Sequence, residues 1–140
     1  MNKENLLKLA KFLDELPEDY KHFDMSKWIA SDTKELRLDE IENVDIKVCG
    51  SAACAIGHAP QALELTTEET WKHHTWGNFI DVYFDIAWIE EQFMFGVDWS
   101  GIDDTPKGAA KRIRYFLENG VPDIFGFVTD ERIIEIYEDY

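Results

Sequence analysis

From His73 to Pro106 the chain has no lysine and no arginine. Seven carboxylates stand in that interval: Asp81, Asp85, Glu90, Glu91, Asp98, Asp103 and Asp104. Bases are scarce throughout, with 14 against 29 acids and a formal net charge of −15. Such a chain is repelled by nucleic acid phosphates and by anionic membrane surfaces, so neither is expected as a direct partner. No apolar run reaches the roughly 18 residues that a membrane span needs. Repeats and low-complexity segments are missing too. There are only two cysteines, Cys49 and Cys54, and the first twenty residues carry acids among their leucines and no small-residue cleavage site. That opening reads as a structural helix rather than a signal peptide. The two thiols are therefore expected to be reduced and the location cytoplasmic.

Apolar side chains are plentiful. Hydrophobic residues make up 45% of the 140, and five Trp and nine Phe supply enough bulk for one well-filled domain. Leucines at 6, 9, 13 and 16 form a helical stripe that Pro17 stops. "YKHFDMSKWIA" follows and predicts a core plug around a short helix. "SDTKELRLDEIENVDIKV" has mixed period and predicts a loop, with a short extended piece at Val44 to Val48. In "TTEETWKHH", Thr66 and Glu69 have the spacing of a capping box. Residues 79–95 satisfy both a strand period and a helix period. Their length and the closing Gly96 favour helix, with a break near Asp85.

The clearest signal is "DTPKGAAKRIRYFLENGVP". Thr105 suits an N-cap, Pro106 the first helical position, Gly120 the left-handed C-cap and Pro122 a stop. Ala110, Ile113, Phe116 and Leu117 make its buried stripe. "TDERIIEIYEDY", capped by Thr129, predicts a last helix. The expected fold is mainly α: one compact domain of about five to seven helices with at most a short extended segment.

"VCGSAACAIGHAP" is the chemically suggestive stretch. Ser51 can cap a helix whose first turn holds Cys54, where the dipole and free amides favour a thiolate. His58 lies at i+4 from Cys54 and shares its face. A cysteine nucleophile needs a base held against it, and the sequence shows no such arrangement. The likeness to papain-like proteases is superficial, because the spacing differs and His74 is the last histidine. A zinc site would draw on Cys49, Cys54, His58 and His73 or His74, yet paired ligands in structural sites sit closer together. No metal and no cofactor are expected. A disulfide is disfavoured by the cytosolic setting. Small residues explain the stretch better: Ala52, Ala55 and Ala59 on one side let a neighbour approach, and a free cysteine behaves as a small hydrophobe. One functional opening is left. Ser51, Cys54 and His58 at a helix start, with Lys107, Lys111 and Arg114 on one face of the capped helix, could hold a small anionic metabolite or nucleotide.

"FDMSKW", "CGSAACAIGHA" and "TPKGAAKRI" together resemble a scattered group of small, uncharacterised proteins from bacteria and their phages. The shared patterns are F-[DN]-M-x-x-W, C-G-[ST]-x-x-C-x-x-G-[WH]-A and T-P-x-x-A-x-x-[IV]. They touch Phe23 to Trp28, Cys49 to Ala59 and Thr105 to Ile113. The resemblance implies a phage or mobile-element setting, in which small acidic proteins often bind host factors. It also implies that the His58 position tolerates Trp, which argues against a metal ligand or a catalytic base there.

The expected function is a non-catalytic acidic binding protein acting on a basic host protein, as an inhibitor or nucleic acid mimic. Asp98, Asp103 and Asp104 are its candidate docking carboxylates. The anionic small-ligand site is the alternative, and a cysteine/histidine enzyme or zinc protein comes third.

Overall fold

A computed structural model describes residues 1–31, 34–41, 44 and 52–122. Cys49, Ser51, the proposed extended residues 45–48 and the expected helix from Thr129 lie outside the described residues. The described chain is mainly helical.

Two long helices form the frame. α1 (Lys3–Asp14) starts where the Asn2 side chain accepts the Asn5 amide at 3.0 Å, and it buries Leu6, Leu9, Ala10 and Leu13. Each such leucine contributes about 1.5–3 kcal/mol by leaving water. α6 (Pro106–Asn119) starts where Thr105 Oγ1 accepts the Gly108 amide at 3.0 Å and ends at Gly120, whose φ of +75° is the conformation glycine adopts without strain. The two helices pack side by side, and an Arg114–Asp14 ion pair joins them. Ala110, Ile113 and Phe116 are buried in that seam and Leu117 half-buried, as their spacing predicts.

Two expectations for the first half are corrected. Residues 20–28 form no short helix but a bridge at Phe23 and a turn at residues 25–26, and the chain after them contains β1 (Ile29–Ser31), β2 (Lys34–Glu35) and a 3-10 turn, Leu38–Glu40. Val44, where the extended piece was expected, sits in a bend. The cysteine segment also departs from expectation: Ala52–Ala53 is a strand, β3, in a small antiparallel sheet of order β2-β1-β3. The backbone groups that a helix starting at Ser51 would use are already engaged. Ala53 donates to the His22 carbonyl and accepts from the Asp24 amide, both at 2.9 Å, and the Cys54 amide donates to the Lys27 carbonyl at 2.7 Å. Helical turning begins only afterwards, in a 3-10 turn (Ile56–His58) that runs into α2 (Ala59–Ala62). Cys54 is therefore not in a first helical turn.

The Thr66–Glu69 capping box forms reciprocally and opens α3 (Thr67–Trp71). The ambiguous stretch resolves into two helices, α4 (Trp76–Tyr83) and α5 (Trp88–Phe95). The break falls at Asp85, which takes φ of +50°. Phe79, Phe84, Phe93 and Trp99 fill the core between these helices and the frame. Arg112, which stands in the sequence between Lys111 and Arg114, is fully buried. Its Nε donates to the Met94 carbonyl at 3.0 Å, and its guanidinium lies 4.1 Å from the centre of the Trp99 ring. The cation–π contact and the hydrogen bond offset the cost of burying the charge. No described helix is long and apolar enough to cross a membrane.

Candidate functional site

The three sequence motifs meet in one place. Phe23 forms a bridge with Ala53, and the Met25 amide donates to an Asp104 carboxylate oxygen at 2.7 Å. A Cβ on Gly57 would run into the Trp28 carbonyl oxygen, so the second glycine of the cysteine motif is needed for that close approach. The convergence serves packing. Every residue from Ala53 to Pro60 is buried, and Cys54 is only 3% exposed.

Cys54 and His58 are brought together, but through the cysteine carbonyl. His58 Nδ1 lies 2.7 Å from the Cys54 oxygen, which can only accept, so Nδ1 carries the proton. Nε2 of the neutral ring then accepts from the Tyr20 hydroxyl at 2.7 Å. Rings of Phe12, Tyr20 and Phe23 surround the imidazole at centroid distances of 5.6–6.4 Å. Burial, opposed by the bond to Cys54 and aided by nearby His22, lowers the imidazole pKa to about 4. Both nitrogens are engaged, which leaves none for a metal or a substrate proton. His73 sits elsewhere, its Nε2 3.1 Å from the Tyr83 hydroxyl. Among the described residues, no group of three or more His, Cys, Asp and Glu side chains is placed to hold a metal ion.

The basic helix face is divided. Lys107 is exposed, Lys111 is half-buried and Arg114 is paired with Asp14. Lys107 borders a cavity of about 260 Å³ under the Leu16–Phe23 turn. Cys54 borders a different one, of about 280 Å³. Cys54 and Lys107, one from each half of the proposed anion site, therefore line separate hollows. Two of the three candidate docking acids are tied down as well. Asp103 accepts the Thr105 hydroxyl at 2.6 Å, and Asp104 accepts the Met25 amide. Burial raises the Asp104 carboxyl above its usual range despite that amide. Asp98 belongs to a 3-10 turn, Val97–Gly101.

A different surface stands out at the corner of α4 and α5. Trp88 is 71% exposed, Val82 58%, Val97 55% and Ile89 47%. Asp81, Asp85 and Glu91 belong to the same two helices and their link, and Asp81 acts electrostatically on Glu91. Periodicity could not single out Trp88, because positions 80, 82, 84, 86 and 88 are all apolar and the break at Asp85 resets the helical phase. The one available signal was the run of acids around a tryptophan with no base nearby.

No family model matches the chain, and no curated protein and no solved structure is similar to it.

Proposed function

We propose that the protein is a non-catalytic binding protein that docks on a basic protein partner through the α4–α5 corner. The exposure of Trp88 within a base-free acidic segment carries this reading. Isolated exposed apolar residues are ordinary, but a nearly free indole beside further exposed aliphatic side chains is the composition of an interface centre, where tryptophan is enriched. Carboxylates around it steer a basic surface inward and exclude acidic ones. The engaged state of Cys54 and His58 supports a structural role for the only motif that suggested catalysis. The docking centre thus moves from Asp98, Asp103 and Asp104 to Trp88 and the acids of α4 and α5.

The test is capture from a bacterial lysate with wild-type protein, Trp88→Ala and Lys107→Ala/Lys111→Ala side by side, followed by association kinetics on the protein retained. A basic protein should be held by the wild type and the lysine variant and lost by Trp88→Ala. Its association should slow about tenfold or more as salt rises through the physiological range. Retention by Trp88→Ala, or association indifferent to salt, would remove the proposal.

A further inference from the structure

The cavity of about 280 Å³ beside Cys54 adjoins the proposed docking face. One wall is the Met25–Trp28 turn and Cys54 itself, and the other is the C-terminal half of α5 with Val97. Gly96 shapes that second wall. A Cβ there would come within 2.5 Å of the Gln92 carbonyl oxygen, so the chain can leave α5 sharply only with glycine at this point. Along α5, Trp88, Glu91, Gln92 and Phe95 share one face by helical spacing, so the cavity begins one turn from the exposed indole.

The charges of the two walls differ. Lys27 lies by Asp24, whose carboxyl ends below its usual range: burial raises it, but the Ser26 hydroxyl and amide and then Lys27 outweigh that. Glu91 is half-buried, and its side chain has neither a hydrogen bond nor an ion pair among the described residues. Burial pushes its carboxyl up, and the like charge of Asp81 adds to that. The cavity lining holds one cation, Lys27, which acts on Asp24, and one carboxylate, Glu91, beside the apolar side chains of Met25, Trp28 and Phe95; a half-buried carboxylate so placed is a receptor for a cation on an aliphatic stem.

We infer that this cavity receives an arginine side chain of the basic partner, with its guanidinium between the Glu91 carboxylate and the Gln92 amide oxygen and its stem against Trp28, Phe95 and Met25. Arginine fits better than lysine. Its planar fork can engage two neighbouring acceptors at once and stack on an indole, whereas an ammonium is a compact, strongly hydrated charge. The inference rests on the docking reading above for the identity of the partner.

The test uses N-acetyl-arginine methylamide, with its lysine and citrulline counterparts, titrated into the protein and followed by nuclear magnetic resonance. Citrulline keeps the shape of arginine and removes the charge. The arginine compound should shift the Trp28 indole, the Gln92 side-chain amide and the Val97 methyl signals. Citrulline, lysine and the Glu91→Gln variant should each weaken binding about tenfold. Val97→Trp, a change at an exposed position, should block the cavity with the fold intact. Trp88→Ala should leave this small probe unaffected while releasing the protein partner. Equal binding of citrulline or lysine, no effect of Glu91→Gln, or shifts lying away from the cavity would overturn the inference. If a basic protein still docks through Trp88 while Glu91→Gln changes nothing, the inference falls and the docking reading stands. If Trp88→Ala retains the partner, the docking reading falls, and the partner assignment made here falls with it.

Discussion

The Cys54–His58 centre and the α4–α5 corner are opposites. The first holds a thiol, an imidazole and a phenol within a few residues of space, and the polar atoms of its imidazole and phenol are used inside the protein. The second holds no nucleophile and no histidine, yet it presents an indole to solvent and a carboxylate with no partner. Reactive residue types therefore mark structure here, and the available surface lies in a segment with no reactive side chain. Function follows from what is left unsatisfied after folding, and only the fold decides that.

The sharpest way to break the comparison is at Gly57. Gly57→Ala drives a methyl group into the Trp28 carbonyl and should destabilise the protein by about 3 kcal/mol or more, the scale of severe overpacking. Urea unfolding measures it. A loss below about 1 kcal/mol would show that the centre is loosely built and could admit a ligand.

Next is pH. Unfolded His58 takes up a proton near 6.5, whereas the folded ring resists protonation until about 4. The neutral ring's contribution to stability is complete above pH 6.5 and is lost as pH falls toward 4. By linkage it is worth about 3 kcal/mol across that window. Glu91 and Asp104 work in the opposite direction, since their raised values favour the protonated folded state, but both are only partly buried. Stability measured at pH 7.5 and 4.5 should therefore fall, and His58→Phe should flatten the dependence. An unchanged wild-type profile would mean that the ring is accessible to protons.

Tyr20→Phe should cost about 1–3 kcal/mol, because it removes the donor to a buried Nε2 and leaves that nitrogen unsatisfied. The same variant should speed alkylation of Cys54 through opening of the centre, while the native thiol stays inert to small reagents. Rapid labelling of wild-type Cys54 at neutral pH would overturn the structural role assigned to it.

The smallest effect sharpens the contrast from the other side. Trp88→Ala should change stability by about 0.5 kcal/mol or less, the range of exposed substitutions, although it deletes the largest aromatic side chain. A larger loss would show that Trp88 is a packing residue and would remove the reason to place an interface there.

The sequence by itself determined α1, α3 and α6. Asn2, Thr66 and Thr105 reach donors three residues away, Glu69 returns its bond across the same gap, and Gly120 needs only its own missing side chain to turn. Those interactions close within a single helical turn, so they can be read from neighbouring letters. The position of the α4–α5 break was also legible near Asp85. The tertiary structure decided the rest. Ala52–Ala53 became a strand because its backbone partners lie at residues 22–30. Arg112 turned into the core because Met94 and Trp99 gather around it. His58 became neutral because it is buried among the distant rings of Phe12, Tyr20 and Phe23, where the charged form loses its hydration. Trp88 stayed in solvent while Phe79, Phe84 and Phe93 went into the core, because the break at Asp85 resets which face of the helix turns inward. All but the last of these outcomes depend on contacts between distant segments, whose spacing leaves no period in the chain.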